Sequence, residues 1–155
     1  HEIASTLPAR LFQFRELIDD AVARLVGEGL VDTEGLRNAD GTFSSGRYFR
    51  LAGVVYCMLE VNLRNWSKVA MTPMWLHVYG KDWKLSAELQ QVFEKAADTG
   101  QLESHELPPQ GKAMHVPIYI PLGMGREETL DSIVTDVRKL AAILEEEDLP
   151  SVVGI

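Results

Sequence analysis

Apolar residues recur at helical spacing from position 8 onward: Leu11, Phe14, Ile18, Ala21, Val22 and Leu25. A period near 3.6 places them on one stripe and predicts an amphipathic helix, with Pro8 suited to its first turn and Gly27 and Gly29 to its stop. Residues 37–46 (RNADGTFSSG) are turn-forming types, after which 47–51 and 54–63 read as two antiparallel strands joined in hairpin style at Ala52-Gly53. Residues 74–79 alternate as a third strand that Gly80 ends, while 66–71 fit neither period. Ser86 is placed to cap a second helix bearing Leu89, Val92, Phe93 and Ala96, and Gly100 to terminate it. After a loop at 107–111, residues 115–121 read as an edge strand, because Pro117 lacks the N–H of a central ladder. A last helix over 126–147 sets Leu130, Ile133, Val134, Val137, Leu140, Ala141 and Leu144 on one face.

The resulting order is α-β-β-β-α-β-α. Hairpin strands followed by a helix and a returning strand predict an α+β fold: a mostly antiparallel four- to five-stranded sheet with three helices covering at least one face. No repeat or low-complexity segment interrupts the chain, so residues 1–155 are expected to form a single domain.

The strand periodicity also sorts side chains between the two faces. Val55, Cys57, Leu59, Val61 and Leu63 fall on one, with Met74, Leu76 and Val78 and with Val116, Ile118 and Ile120. The other then carries Tyr48, Arg50, Tyr56, Glu60, Asn62, Trp75, His77, Tyr79 and Tyr119, including all four tyrosines. Tyr and Trp join a large apolar body to a polar tip and are enriched at interfaces. Tyr48, Arg50, Tyr56, Trp75, His77, Tyr79 and Tyr119 are therefore the candidate binding residues. Three arrangements stay open: a helix packed over this face, self-association through it, or an exposed face for a ligand or macromolecule. A Tyr79→Glu substitution separates them, since it leaves the fold intact only if the face is exposed.

Composition narrows the partners. With 15 Lys and Arg against 23 Asp and Glu, the 155-residue chain has a formal charge of -8, which disfavours generic binding to phosphate backbones. Charge is uneven along the chain, with Arg10, Arg15, Arg24, Arg37, Arg47, Arg50 and Arg64 in the first half and an acidic run at 145–148. A chain of this length buries roughly 68–70% of its unfolded surface and needs no disulfide or metal to fold. Cys57, the one cysteine, reads as an unreactive core thiol, and a reducing, cytoplasmic setting is the expectation. The longest nearly uncharged apolar stretch, 51–59, falls far short of the ~20 residues of a membrane span. The chain begins at His1 without a signal pattern, so a fragment of a longer protein is expected.

Candidate chemistry is sparse. Glu60, with Asp82-Trp83-Lys84 and the element order from position 8 to about 122, resembles the restriction-endonuclease-like PD-(D/E)XK superfamily. That resemblance implies an acid near the second strand and an acid-x-Lys signature on the third, together holding Mg²⁺ to activate water and neutralise a phosphate. Here Asp82 follows Gly80, past the predicted strand, so the catalytic motif is not intact. An inactivated member or an accessory domain of a nuclease or defence protein is implied, with Glu60, Asp82 and Lys84 as the catalytic candidates otherwise.

His77 and His115 could meet across the sheet and, with Glu60, make an N/N/O set suited to zinc, although the short His spacings of zinc motifs are lacking. The sequence GMGR at 123–126 offers backbone N–H groups to an anion, but Glu127 and Glu128 already occupy that helix's first turn. The expectation is a non-catalytic binding or assembly module without a cofactor, meeting a protein partner or a second copy in preference to nucleic acid or a membrane. A small-molecule ligand remains open, and a Mg²⁺-dependent nuclease is the alternative.

Overall fold

The computed structural model describes residues 2–63, 72–105, 113–120, 125–147 and 149–150, with 2–11 described by backbone alone. The segments 66–71, 107–111 and 123–124, Arg64 and Pro121 lie outside the described residues, as does the Arg10 side chain. The chain runs α1 (Glu2–Gly27), β1 (Val31–Asp32), β2 (Asn38–Asp40), β3 (Ser44–Leu51), β4 (Val55–Asn62), β5 (Met74–Tyr79), a single 3₁₀ turn (Lys81–Trp83), α2 (Ala87–Asp98), β6 (Met114–Ile118) and α3 (Arg126–Glu145). This is an α+β fold, and its main elements keep the order α-β-β-β-α-β-α.

The strands form one antiparallel sheet in the order β1-β3-β4-β5-β6, with β2 also paired to β3. Register is fixed across the centre: Phe49 lies opposite Cys57, Cys57 opposite Val78, and Val78 opposite Met114. These residues share one face with Leu51, Val55, Leu59, Val61, Met74, Leu76, Val116 and Ile118, and all are buried. The same core takes Ile18, Ala21, Val22 and Leu25 from α1, Leu89 and Phe93 from α2, and the whole predicted stripe of α3. The helical layer therefore covers the aliphatic face.

Local details explain the element ends. Ala52 and Gly53 both have positive φ (54° and 68°), the conformation that the tight β3–β4 hairpin demands. Ser86 caps α2 by accepting from the Leu89 N–H at 3.1 Å, and Gly100 leaves the helix at φ 78°. Glu128 caps α3 by accepting from the Gly125 N–H at 3.2 Å, so the helix's own carboxylate holds the place considered for an anion.

Several expectations need correction. Helix α1 starts at Glu2, so Pro8 lies inside it and not in its first turn. Part of the stretch 37–46 is strand: β2 pairs with β3 as Asn38 to Arg47 and Asp40 to Ser45. Two short strands thus lengthen the sheet edge to six strands in all. Leu63 lies past the end of β4 and is half-buried. Strand β6 stops at Ile118, but it is the last strand in the order, and among the described residues its outer side meets only an isolated bridge from His105, which suits Pro117.

Most described arginines of the basic first half are held by carboxylates. Arg15 pairs with Asp40, Arg24 with Asp131 and Glu127, Arg47 with Asp19, and Arg50 with Asp32. Arg24–Asp131, Arg126–Asp20 and Arg138–Glu28 also tie α1 and its end to α3. No described helix is long and apolar enough to cross a membrane.

Because Phe49 is fully buried at the centre of β3, Phe49→Ala removes a ring from a close-packed core that cannot collapse around it. We expect a loss of about 3–5 kcal/mol in urea unfolding.

Candidate functional site

The second sheet face is built by the register that buries the first. Tyr48 and Arg50 on β3, Tyr56, Met58 and Glu60 on β4, Trp75, His77 and Tyr79 on β5, and His115 and Pro117 on β6 all project there. Tyr119, just past β6, continues the same alternation and is exposed. Two clusters divide this face.

The first is aromatic and centres on Trp83, a residue the strand pattern does not select. Its indole stacks on Tyr56 with centroids 4.5 Å apart and planes 20° from parallel. It also meets Tyr48 and Tyr79 edge to face at 5.4 and 5.5 Å. The 3₁₀ turn brings it there by placing two consecutive non-glycine residues at positive φ, Asp82 at 60° and Trp83 at 59°. Each such residue costs of order 1–3 kcal/mol. Three ring contacts at roughly 0.5–1.5 kcal/mol apiece offset a comparable amount. Gly80 makes the turn possible: its N–H donates to the Lys84 carbonyl at 2.8 Å, and a Cβ there would sit 2.5 Å from that same oxygen.

The second cluster is a buried proton chain. Glu60 Oε1 lies 3.0 Å from His77 Nε2, and His77 Nδ1 lies 2.7 Å from His115 Nδ1. An ionised Glu60 accepts from the His77 Nε2–H, which leaves His77 Nδ1 to accept from the His115 Nδ1–H. Both imidazoles are buried, and the Glu60 side chain is only 14% exposed. Trp75 is wholly buried beside them, edge to face with His105 at 5.8 Å, and its indole Nε1 has no hydrogen-bond partner among the described residues. The segment leading to His105 runs along β6: the His105 N–H donates to the His115 carbonyl, and the Tyr119 hydroxyl donates to Glu103. That hydrogen bond, followed by the one from His105, holds the Glu103 carboxyl below its ordinary range.

The candidate residues are therefore sorted. Tyr48, Tyr56 and Tyr79 join under Trp83. Arg50 is held by Asp32 and by the Glu34 carbonyl, to which it donates at 2.6 Å, with Tyr56 beside it across the strands. Trp75 and His77 are packed too deeply for a contact surface. Glu60, His77 and His115 do meet, but their ring nitrogens and carboxylate point at one another and not at a shared centre; the described residues contain no group of three acidic, histidine or cysteine side chains placed to hold a metal.

Glu60, Asp82 and Lys84 do not meet. The 3₁₀ turn packs at the level of Tyr56, four residues along β4 from Glu60, about 13 Å at ~3.3 Å per residue. Asp82 and Lys84 are exposed, and Glu60 is engaged by His77. Cys57 is fully buried and its thiol is pushed up by that burial, as expected of a core residue.

Beside Trp83 the face opens into a cleft of about 350 Å³ lined by Gly35, Leu36, Arg37, Tyr48 and Trp83. Trp83 is 41% exposed there. The chain matches no family model, and neither a curated protein nor a solved structure is found similar to it.

Burial, followed by the charges of Tyr48, Glu60 and Cys57, pushes the Tyr79 phenol from 10 up to about 12. The neutral phenol is thus favoured by folding, so its contribution is complete below pH 10 and is lost as pH rises through about 12. Relative to Tyr79→Phe, the wild type is expected to lose on the order of 2 kcal/mol across that window in urea unfolding followed against pH. Gly80→Ala should unseat Trp83 while leaving the core intact. Near-ultraviolet circular dichroism then changes, with far-ultraviolet signal retained; unchanged near-ultraviolet bands would show that the turn accommodates the methyl group.

Proposed function

We propose that the chain is a non-catalytic binding module whose recognition element is the corner formed by Trp83, Tyr48 and Arg37. The observation that carries this reading is Trp83 itself: a large aromatic side chain held by a strained turn, anchored on three tyrosines, with 41% of its surface left to solvent. Strain persists only where surrounding contacts over-determine it, and such residues concentrate at functional sites. Indole and phenol are also the side chains most often dominant in recognition.

Tyr56 and Tyr79 support this corner by packing against Trp83. Tyr79 lies under Trp83, so Tyr79→Glu tests packing, and Trp83 is the residue that tests binding. Self-association and a protein partner remain compatible with this reading, as does a small ligand. The nuclease alternative is disfavoured by the separation of Glu60 from Asp82 and Lys84, and it still makes a distinct prediction: Mg²⁺- or Mn²⁺-dependent cleavage of DNA or RNA that Lys84→Ala abolishes.

The test is a nuclear magnetic resonance screen of fragments, short peptides and rising protein concentration, read on the indole Nε1–H signals and backbone amides. Perturbations are expected to converge on Trp83, Tyr48 and Arg37 and to vanish in Trp83→Ser. Perturbations that converge on another surface would sink the reading.

A further inference from the structure

Arg37 differs from the other described arginines of the chain's first half. Arg15, Arg24, Arg47 and Arg50 each hold a carboxylate. Arg37 makes no side-chain hydrogen bond or ion pair among the described residues, although the chain carries an acidic excess. Its backbone is fixed against the aromatic corner, because the Tyr48 N–H donates to the Arg37 carbonyl at 3.4 Å. Gly35, at φ 75°, turns the preceding backbone, and Gly35, Leu36 and Arg37 together form the wall of the cleft that faces Trp83 and Tyr48.

An indole and a phenol on one side and a guanidinium on the other give a site with two demands. The rings favour a flat aromatic body, through stacking or edge-to-face contact. The guanidinium favours an oxyanion, and its planar fork matches a carboxylate in two parallel hydrogen bonds. At about 350 Å³ the cleft falls at the small end of ligand sites. Charge around it is mixed, with Glu34 and Asp82 exposed and Lys81 and Lys84 exposed on the turn that carries Trp83, so the choice of anion rests on the planar fork of Arg37, which matches a carboxylate.

Resting on the binding-module reading, we infer that this cleft takes a small planar aromatic monocarboxylate, its ring against Trp83 and Tyr48 and its carboxylate on Arg37. The ring and the charge contribute separately, so neither half alone binds as well as the whole.

Isothermal titration calorimetry with indole-3-acetate as the probe tests this, with indole, acetate and adenosine monophosphate as comparison arms. Indole-3-acetate should bind with saturation, at least about tenfold more tightly than indole or acetate. Arg37→Gln should reduce it to the level of indole, and Trp83→Leu should abolish both, with far-ultraviolet circular dichroism confirming that each variant is folded. Equal affinity in Arg37→Gln, or no saturable binding of indole-3-acetate, overturns the inference. Tighter binding of adenosine monophosphate overturns the carboxylate class. If indole-3-acetate fails while other compounds still perturb Trp83, the ligand class is wrong and the binding-module reading stands. If nothing perturbs Trp83, both fall.

Discussion

Side chains alternate across a sheet with a period of two, so a one-residue slip between β4 and β5 would exchange Val78 for His77 or Tyr79 beneath the helices. Every strand from β3 to β6 contributes an aliphatic set to the helical side, and α1, α2 and α3 all bury their stripes against it. That single commitment fixes the other face as well. Once Cys57 is paired with Val78 and Leu76 with Val116, His77 falls opposite His115, and Glu60, opposite Trp75, lies one diagonal step from His77 on the same face. The polar chemistry of the molecule is thus a consequence of how its apolar residues are registered.

The polar face meets its desolvation cost in two different ways. Around His77, hydrogen bonds are the means: His77 joins Glu60 through Nε2 and His115 through Nδ1 inside the sheet, where an unpaired group costs about 1–3 kcal/mol. Around Tyr56 the means is a lid of indole, which removes three phenol rings from water through apolar contact while their polar tips stay near the margin. The first arrangement consumes the ionisable groups on one another. The second leaves one large surface of Trp83 unspent, beside the Arg37 cleft. The face therefore has a closed half and an open half, and the proposed binding role draws on the open one.

How far this was legible in the sequence depends on the range of the contact involved. Alternation in 55–61 and 74–79 is a local pattern, and it sufficed for the two faces, the antiparallel order and the meeting of His77 with His115 and Glu60. The 3.6-residue stripe of α3 was equally plain, since the same residues that recur are those buried. The strands β1 and β2 were hidden because two or three residues carry no period, and Asn38, Ala39 and Asp40 are turn-forming or neutral types. Trp83 was hidden for a different reason. Its position depends on Asp82 and Trp83 both adopting a left-handed backbone, which no glycine or asparagine signals, and the triplet Asp82-Trp83-Lys84 drew notice for its charges and not for its indole. The signal that could have found it is Gly80: a glycine ending an aromatic strand three residues before a tryptophan marks a close backbone approach.

The same turn bears on both chemical readings of the chain. For Asp82 and Lys84 to serve with Glu60, the acid-x-Lys triplet would have to lie on β5 itself, within reach of the β4 carboxylate. Gly80 instead reverses the chain onto Lys84 at 2.8 Å and lifts Trp83 over the tyrosines at the opposite end of the strands, with Asp82 and Lys84 left in solvent. Moving the triplet toward Glu60 would undo the aromatic packing that offsets the turn's strain. The conformation that exposes Trp83 above the tyrosines is thus one that keeps Asp82 and Lys84 apart from Glu60, so the proposed binding reading and the nuclease alternative require different backbone geometries at this turn.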